Sequence, residues 1–476
     1  MSRPFDEARY RALLEGLEAA EILSSGLERT GRFDAEFFDP KHLRVASILS
    51  SHKTQSLTEL VEVSDGNHFS ISEEFAEDGI PYYRGQDVVG HFFIEQARPN
   101  FITEAAFRRP FMVRSHLKRG DVLLTIVGTI GEVSLVAETS AATCSCKLAI
   151  LRPRYIAAEY LAVFLRSEFG RSQIQRLTRG AVQMGLLLED MDQLKVARCN
   201  PEFEAAIVST VASAKRSLDA TMEATEQAER IMLQTLGLEH WQPPEPLTYN
   251  YSVREVFDAG RMDAAYFHPR YDAAFANLAK RFQMVTLGQL GGVSKGVTVP
   301  YYEDAVIPII RSGDLSDIDS DHNLLRTNPG EGVYYLEPGD ILISSIGFGS
   351  IGKIQVFDKP GCYGTVSEVT VVRQKKINPY CLAGFLRSTI GQMQIERYIT
   401  GATGQLHLYP ANVEKIFVPI LPVEEQLMFE LLAKDGKAKR IYAGCLLDAA
   451  KRAVEIAIES DEATAMDFLN RTVEIG

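Results

Sequence analysis

The chain has 476 residues, 46% of them apolar and 24% charged. It is long enough for more than one hydrophobic core, and no window approaches the roughly 20 apolar residues that a membrane span needs. The net charge of −13 argues against a nucleic-acid binder, because contacts with phosphate need Lys and Arg. A large acidic scaffold can nevertheless carry a local basic face.

The N-terminal sequence MSRPFDEARYRALLEG is charged throughout, so we expect no signal peptide. The six cysteines form no CxxC pair, which favours reduced thiols in the cytoplasm and no metal site.

Residues from about Phe5 to Arg29 predict one amphipathic helix. The apolar face of this helix would consist of Leu13, Leu14, Leu17, Ala20, Ile22 and Leu23.

A long internal repeat follows. Four pairs of segments recur in the same order: RFDAEFFDPK and RMDAAYFHPR (from Arg32 and Arg261), PYYRGQDV and PIIRSGDL (from Pro81 and Pro308), GDVLLTIVG and GDILISSIG (from Gly120 and Gly339), and FLRSEFGRSQIQRLTRGA and FLRSTIGQMQIERYITGA (from Phe164 and Phe385). The period is too long for a solenoid, so it indicates a tandem duplication of a domain. We call Arg32 to Cys199 repeat 1 and Arg261 to Leu421 repeat 2.

Within repeat 1, apolar runs bounded by turn residues predict short strands. The predicted strands are Leu57–Val63, Asp121–Val127, Val133–Val136, Lys147–Leu151 and Leu194–Ala197. Residues 158–177 predict a helix.

A long helix is predicted after each repeat. The first runs from Pro201 to about Leu236, with Asn200 as its cap and proline at the first helical position. Its weak coiled-coil seam comprises Ile207, Val211, Ala214, Leu218, Thr221, Thr225, Ala228 and Met232. The second starts at Pro422, with one face formed by Leu427, Leu431, Ala438, Ile441 and Cys445. A proline-containing linker, residues 237–250, separates the first helix from repeat 2, and the tail after Ile458 predicts a short extra helix.

Motifs for catalysis are mostly absent from the sequence. There is no GxxxxGK[ST] or HExxH motif, so we expect no active site on this chain. The glycines from Gly347 to Gly352, and their reduced copy from Gly128 to Gly131, are interpreted as a strand bend or bulge. The equivalent Asp121 and Asp340 are expected to form turns or caps.

In its order of motifs the chain resembles the specificity subunit of type I restriction–modification enzymes. The resemblance depends on RFDAEFFDP and RMDAAYFHP at Arg32 and Arg261, on GDVLL and GDILI at Gly120 and Gly339, and on FLRS at Phe164 and Phe385. The end of repeat 2, from Ile399 to Gln426, also fits, whereas repeat 1 lacks the Glu-Gln pair.

The resemblance implies an α+β fold of two tandem α/β target-recognition domains with a pseudo-twofold internal repeat. Each domain would be followed by a long helix, and the two helices would form an antiparallel coiled coil. The expected parts are an N-terminal helix (1–30), the first domain (31–200), a spacer helix and linker (201–250), the second domain (251–421), and a second spacer helix with a tail (422–476).

The implied function is sequence-specific recognition of a bipartite target in double-stranded DNA. Two methyltransferase subunits would dock on the long helices and supply S-adenosylmethionine, and restriction subunits would bring ATP and Mg²⁺. No catalysis and no cofactor are expected on this chain.

The residues expected to contact DNA are Lys and Arg on loops, and polar side chains that can bind base edges. In repeat 1 these are Arg84, Gln86, Arg108, Arg109, Arg114, Lys118, Arg179 and Gln183. In repeat 2 these are Lys295, Tyr301, Arg311, Ser312, Arg326, Gln405 and His407. Each of them is as easily a solvated surface group. The pairs Tyr82–Tyr83 and Tyr301–Tyr302 are interpreted as core or edge aromatics rather than stacking platforms, and Arg32–Asp34 and Arg261–Asp263 as ion-paired clasps.

Two other functions remain open. The acidic balance favours a stand-alone scaffold that binds another protein, without DNA specificity. An enzyme with a degenerate motif is less well supported, because no NPP[YF] or cofactor loop is present.

Overall fold

The computed structural model describes residues 6–17, 19–25, 27, 31–180, 184–319, 321, 324–347, 349–401 and 406–475. The chain divides into two compact units, which we describe separately. Unit 1 comprises Met1–Ser217 and Tyr442–Gly476, and unit 2 comprises Leu218–Ile441. Each unit therefore contains one sequence repeat and parts of both long helices.

The described residues of unit 1 form ten short strands. They are β1 (Thr54–Ser56), β2 (Val61–Asp65), β3 (Phe75–Ala76), β4 (Ile80–Tyr83), β5 (Asn100–Ile102), β6 (Val122–Thr125), β7 (Val133–Leu135), β8 (Thr143–Cys144), β9 (Leu148–Pro153) and β10 (Lys195–Ala197). The helices before the first long helix are α1 (Glu7–Leu14), α2 (Pro40–Ser50), α3 (Leu57–Leu60), α4 (Gly85–Val88), α5 (Glu104–Phe107), α6 (Ala158–Arg166) and α7 (Glu168–Leu177).

Two four-stranded sheets form the centre of unit 1. One has the order β2-β9-β6-β7 and is antiparallel; the other has the order β3-β5-β4-β8, with β4 and β8 parallel. Strand β6 is fully buried, because Val122, Leu123 and Leu124 form a continuous apolar run. Strands β1 and β10 pair separately and bring the two ends of repeat 1 together.

Unit 2 repeats this plan. Its strands are β11 (Met284–Thr286), β12 (Gly291–Lys295), β13 (Ile307–Ile310), β14 (Arg326–Thr327), β15 (Tyr334–Tyr335), β16 (Ile341–Ser344), β17 (Ile354–Val356), β18 (Gly364–Thr365), β19 (Val369–Gln374) and β20 (Phe417–Pro419). Its shorter helices are α9 (Val253–Ala259), α10 (Pro269–Ala279), α11 (Leu287–Leu290), α12 (Pro379–Arg387), α13 (Thr389–Tyr398) and α14 (Pro410–Val413).

The duplication extends to strand register. The sheet β12-β19-β16-β17 matches β2-β9-β6-β7. Ile341 lies opposite Val372, just as Val122 lies opposite Leu151 in unit 1. The tandem repeat of the sequence is therefore a repeat of the fold.

The long helices are α8 (Pro201–Leu236) and α15 (Val423–Glu459), and a last helix, α16 (Glu462–Ile475), ends the chain. Helix α8 passes from unit 1 into unit 2, whereas α15 passes from unit 2 into unit 1, so the two helices are antiparallel. Within unit 2 they touch where the Thr221 hydroxyl donates to the Gly436 carbonyl at 3.3 Å.

Each long helix also holds a short helix of the unit in which it ends. In unit 1, Glu455 of α15 accepts a hydrogen bond from the Glu168 amide at the start of α7, at 3.0 Å. In unit 2, Glu229 of α8 accepts one from the Thr389 amide at the start of α13, at 3.3 Å. Carboxylates at these positions satisfy free amides and the helix dipole.

The predicted seam of α8 is confirmed at its two ends. Ile207, Val211 and Ala214 are buried in unit 1, and Met232 is buried in unit 2, whereas Thr225 is exposed. The small and polar residues in the middle of the seam therefore bury little apolar surface.

The predicted packed face of α15 is wrong. Leu427, Leu431, Ala438, Ile441 and Cys445 are all exposed. The buried side is formed instead by Phe429 and Ala443, Leu446, Ala450, Ala453, Val454 and Ala457. A row of alanines allows close approach of neighbouring helices, and periodicity alone could not decide which apolar stripe would be covered.

Three further predictions need correction. The N-terminal helix ends at Leu14 rather than near Arg29, because Gly16 adopts a positive φ of 80°, and Leu13, Leu17 and Leu23 are exposed. The predicted helix 158–177 is two helices, since Ser167 is extended and caps α7. The first part of the predicted strand 57–63 is the short helix α3. The long helix, the linker without helix and the helix in the tail are confirmed.

A clasp closes the start of repeat 1, as predicted. The Arg32 guanidinium donates to both oxygens of Asp34, at 2.6 and 2.8 Å. Arg32 and Arg176 of α7 lie over the Phe37 ring, at 4.7 and 4.3 Å from its centroid. This cation–π sandwich ties the start of the repeat to α7.

Repeat 2 has the same clasp. Arg261 donates to both oxygens of Asp263, at 2.8 and 3.0 Å. Arg261 and Arg397 of α13 lie over the Tyr266 ring, at 4.7 and 4.9 Å. The duplicated RxDAxxF motif therefore has a structural role in both copies.

The equivalent aspartates of the two repeats each make a buried ion pair, which we call the Asp–Arg lock. Asp121 caps its turn by accepting from the Lys118 amide at 2.8 Å, as predicted, and also receives two 2.8 Å bonds from Arg152. Asp340 accepts from the Glu337 amide at 2.8 Å and from Arg373 at 2.8 and 2.7 Å. Both aspartates are 1% exposed, so in each copy β6 or β16 begins at a buried carboxylate with a planar two-point partner.

We expect Asp340→Ala to lower the free energy of unfolding by about 3 kcal/mol, because it leaves the Arg373 guanidinium without its buried partner. Denaturant unfolding followed by circular dichroism measures the change. The control is Glu337→Ala, which removes only a solvent-exposed partner of the same arginine and should cost less than about 1 kcal/mol. Equal effects of the two substitutions would contradict the importance of the lock.

One buried histidine predicts pH dependence in unit 1. The His42 Nδ1 of α2 lies 2.7 Å from the Ser172 hydroxyl of α7. Burial, together with the neighbouring Lys41, lowers the pKa of His42. Below about pH 6.5, His42 therefore binds a proton more readily in the unfolded chain than in the folded chain. The free energy of unfolding consequently decreases as the pH falls from 7 toward 5.

His42→Gln keeps a polar partner for Ser172 and removes the titration. The variant should show a smaller loss of unfolding free energy between pH 7 and pH 5, by up to about 1 kcal/mol, in urea titrations at each pH. Parallel losses in wild type and variant would show that His42 does not contribute.

Candidate nucleic-acid interface

In each unit a glycine turn follows the central strand and meets the loop after the helix pair. In unit 1, Val127 bridges to Gly185, and the Leu186 amide donates to the Ile126 carbonyl at 3.0 Å. In unit 2, Ile346 bridges to His407, and the Leu408 amide donates to the Ser345 carbonyl at 2.8 Å. The glycine stretches are thus strand bends, as predicted, and the bend positions a loop.

In unit 2 this junction carries a cation and two rings. The Lys295 ammonium, at the end of β12, lies 5.3 Å from the centroid of the Tyr409 ring. The His407 ring stacks on Tyr409, with centroids 5.7 Å apart and planes within 12°. Tyr409 is exposed. Lys295 has no carboxylate partner among the described residues, so its charge is available to a ligand.

A second group of side chains adjoins the same bend. Tyr301 and Arg311 influence each other electrostatically, and burial raises the pKa of Tyr301. Arg311 is held by Asp314, with Nε 3.1 Å from Oδ2, and this hydrogen bond raises the pKa of Arg311. Ser345, beside the bend, donates from both its amide and its hydroxyl to the Glu368 carbonyl at 2.9 Å, and Glu368 influences Tyr301 and Arg311 electrostatically. We call Lys295, Tyr301, Arg311, His407 and Tyr409 the loop surface of unit 2.

Two other residues of repeat 2 that were expected to contact DNA, Ser312 and Arg326, are not part of the loop surface. Ser312 is buried and hydrogen bonds to Ser344. Arg326 lies in β14 and donates to the Val306 carbonyl at 3.3 Å. Tyr301 and Tyr302 are exposed by 40% and 45%, so of the two alternatives, core or edge aromatics, the core is excluded for them, whereas Tyr82 and Tyr83 are buried core aromatics, as predicted.

In unit 1, Arg84 occupies the position of Arg311. Its amide donates to Asp87 at 2.7 Å, and its guanidinium donates to Asn100 at 3.3 Å. Burial raises the pKa of Asp87. The neighbouring Gln86 is exposed, and its side chain hydrogen bonds to Asp87.

The other expected arginines of repeat 1 are paired with carboxylates. Arg108 pairs with Glu104, Arg109 with Glu74, Arg114 with Asp65, and Arg179 with Glu189 and Asp190. These arginines are 40% to 74% exposed. The pairs with the exposed Glu104 and Glu189 are surface pairs, which contribute only about 0–1 kcal/mol, whereas Asp65 and Asp190 are only 10% and 12% exposed. A phosphate group can therefore replace the carboxylate of Glu104 or Glu189. Lys118 is exposed, beside the Asp121 turn.

The two units carry opposite charges at one equivalent backbone position, the end of β2 in unit 1 and of β12 in unit 2. Asp65 ends β2 as Lys295 ends β12, and each is the fifth residue of its strand. Asp65 is paired with Arg114 and with His68 at 2.5 Å, whereas Lys295 faces Tyr409. A negative and a positive side chain thus occupy the same place in two copies of one fold.

Gln183 and Gln405, the two remaining expected contacts, lie outside the residues that the structure describes. They flank the two bridged loops in the sequence.

Sequence reasoning missed Tyr409, Arg152 and Arg373. Tyr409 has no aromatic counterpart in repeat 1, so the duplication gave no signal for it. The two arginines are equivalent across the repeats, and that equivalence was a signal that went unused.

Within the described residues, no helix is long and apolar enough to cross a bilayer. The same residues contain no group of three His, Cys, Asp or Glu side chains suited to a metal ion. All six cysteines are free.

The geometry defines a duplicated α/β recognition module whose loops, rather than its core, carry the exposed chemistry. Residues 279–429 match the family model of the type I restriction modification DNA specificity domain. The match covers about a third of the chain, and over this part of unit 2 it agrees with the resemblance stated from the motifs.

Among the solved structures that resemble the chain are the following three. The S subunit of a type I restriction–modification system from M. genitalium is 16% identical, with a TM-score of 0.36 over 88% of this chain and 95% of that chain. The HsdS subunit from Thermoanaerobacter tengcongensis is 16% identical, with a TM-score of 0.26 over 88% and 96%. A chain from a study of type I restriction–modification complex assembly is 15% identical, with a TM-score of 0.27 over 88% and 97%. No curated protein sequence matches the chain significantly.

Proposed function

We propose that the chain is the DNA-reading subunit of a type I restriction–modification complex, and that each unit reads one half of a bipartite target in double-stranded DNA. The observation that carries this proposal is the duplicated scaffold with divergent loops. Both repeats keep the clasp, the Asp–Arg lock and the bridged glycine turn. They differ at the exposed positions, as expected for two modules that read different bases.

The contacts fall into two classes. Cations such as the half-buried Lys295 and the exposed Lys118 and Arg108 are suited to phosphates, which fix register without reading sequence. Arg84, Gln86, Arg311 and His407 carry donors in planar groups that suit base edges in the major groove. Tyr409 and Tyr301 offer ring faces and hydroxyl groups beside these donors.

The acidic net charge is compatible with DNA binding because loop arginines such as Arg108 are held by carboxylates that phosphate can displace. A charge of −13 keeps the free chain away from non-specific DNA. Binding then depends on local complementarity, and it should still weaken with salt, since each phosphate contact releases counterions.

We propose that methyltransferase subunits dock on the long helices. The best surface for this is the exposed stripe of α15 in unit 2, formed by Val423, Leu427, Leu431 and Ile441, which are 44% to 70% exposed. An apolar stripe on a helix is a common protein-docking surface.

The docked subunits would bind S-adenosylmethionine and extrude the target adenine from the duplex. Restriction subunits, where present, would supply ATP, Mg²⁺ and cleavage. This chain would contribute recognition alone and would act in the cytoplasm, where the cellular DNA lies.

A stand-alone protein-binding scaffold is the alternative. The same exposed stripe and the acidic charge favour it. The two functions differ in one respect: only the DNA reader binds duplex DNA with a salt-dependent affinity.

Lys295→Ala should weaken duplex binding and lower the slope of log affinity against log salt by about 1, because it removes one phosphate contact. Fluorescence anisotropy with the full chain and its methyltransferase partner measures both. Lys415→Ala removes an equally positive, exposed side chain from unit 2 outside the loop surface and should leave the slope unchanged. An unchanged slope in Lys295→Ala excludes this lysine as a phosphate contact, and absence of any salt-dependent binding by the wild type excludes the proposed function.

Leu431→Asp should abolish co-purification of the methyltransferase subunit, because it places a charge in the centre of the proposed docking stripe. Since Leu431 is 70% exposed, the unfolding free energy should change by less than about 1 kcal/mol. Leu247→Asp, at a fully exposed leucine of the linker, is the matched control. Unchanged co-purification of the methyltransferase subunit with Leu431→Asp would contradict the proposed location of the docking site.

A further inference from the structure

The loop that carries Arg311 is tied to the long helix α15 by an ionic cluster within unit 2. We define loop 311–319 as Arg311 to Asp319. The Lys437 ammonium lies 2.9 Å from Asp319 Oδ1, and Arg440 also pairs with Asp319. Lys437 pairs in addition with Asp358, which accepts a 2.5 Å hydrogen bond from the Tyr380 hydroxyl.

The cluster is largely shielded from water. The Asp319 side chain is 9% exposed, and that of Lys437 is 24% exposed. Burial alone would raise the pKa of Asp319, but Lys437 and Arg440 outweigh it and the pKa is lowered. The carboxylate is therefore ionised at neutral pH and depends on both cations, since an unpaired buried charge is costly.

Further contacts restrain loop 311–319 between Asp319 and Arg311. A short 3₁₀ helix, Asp314–Asp317, spans the loop. The Leu315 carbonyl accepts a 3.0 Å hydrogen bond from Gln355 of β17. Asp314, at the start of this helix, orients the Arg311 guanidinium. The loop is thus fixed by α15 at one end and by β17 in the middle, which leaves few positions for Arg311.

The equivalent loop of repeat 1 has a counterpart of the hydrogen bond between β17 and Leu315, but it has a different contact in place of the ion pairs of Asp319. The Ser134 hydroxyl of β7 donates to the Val88 carbonyl at 3.3 Å, as Gln355 does to Leu315. The position of Asp319 is taken by Phe92, which is 5% exposed and lies under the Arg166 guanidinium at 5.4 Å. The loop of unit 1 is therefore anchored by the burial of Phe92 and by hydrogen bonds from Ser134 and Arg166 to the His91 carbonyl, whereas that of unit 2 is anchored by ion pairs with the long helix.

We propose that Asp319, Lys437 and Arg440 are positioning residues for the DNA-reading surface of unit 2: they hold loop 311–319 against α15 so that Arg311 meets its half of the target in one orientation. This inference rests on the proposed function. It assigns to α15 a part in sequence reading as well as in spacing, because side chains on rigid elements fix a contact more closely than a free loop does.

The test combines two measurements on the full chain assembled with its methyltransferase partner. Hydrogen exchange reports the mobility of amides 314–318, and selection from a pool of random-sequence duplexes reports base preference at each half of the target. Lys437→Met removes the charge and keeps the stem. Lys437→Arg keeps the charge, and Lys415→Met removes an exposed charge elsewhere in unit 2.

We expect Lys437→Met to speed exchange of amides 314–318 at least tenfold and to relax base preference about tenfold at one half of the target, with the other half unchanged. Lys437→Arg should restore both, and Lys415→Met should alter neither. Faster exchange with unaltered base preference would reduce the cluster to a structural support and overturn the inference, as would unaltered exchange. A wild-type complex that selects no sequence would overturn the proposed function itself.

Discussion

The buried carboxylate at the start of the central strand is the constraint on which both repeats depend. Asp121 and Asp340 are almost wholly shielded from water, and each is held by a two-point bond from an arginine on the neighbouring strand. Such a pair is costly to leave incomplete, although an apolar pair of the same volume could be as stable. We infer that its value here is geometric, because it fixes the register of β6 with β9 and of β16 with β19. The glycine turns that follow β6 and β16 then lie at a defined height above the sheet.

From this arrangement the exposed chemistry follows in steps. The bend brings the loop after the helix pair beside the end of the central strand. In unit 2 that loop delivers His407 and Tyr409 to Lys295; in unit 1 the same backbone delivers Gly185 and Leu187, and Asp65 stands in the place of Lys295. A conserved scaffold with variable loops is how one fold acquires different specificities.

Much of this organisation could be predicted from the sequence, because each motif occurs twice and the two copies support the same interpretation. The order of segments, the extent of α8, the turn role of Asp121 and Asp340 and the RxDAxxF clasp all depend on local residues or on two matching copies. The face of α15 could not be predicted, since both the leucine stripe and the alanine row fit a helical period and only tertiary packing decides between them. The break at Ser167 and the early end of α1 reflect local capping and a glycine turn that apolar periodicity does not report.

The candidate site was less predictable than the fold. The charge of an arginine is visible in the sequence, but whether it is paired with a carboxylate depends on residues far along the chain, as with Arg109 and Glu74 or Arg114 and Asp65. Ser312 was expected at the interface and is buried. Tyr409 is part of the loop surface of unit 2, but it has no aromatic counterpart in repeat 1 from which it could be predicted.

The central claim is that two units of one chain read two separate halves of a DNA target. Mapping adenine methylation in the DNA of cells that produce this chain with its methyltransferase subunit tests that claim most directly. We predict a motif of two short specified segments separated by unspecified bases of constant number. A single contiguous motif, or methylation independent of this chain, would contradict the account.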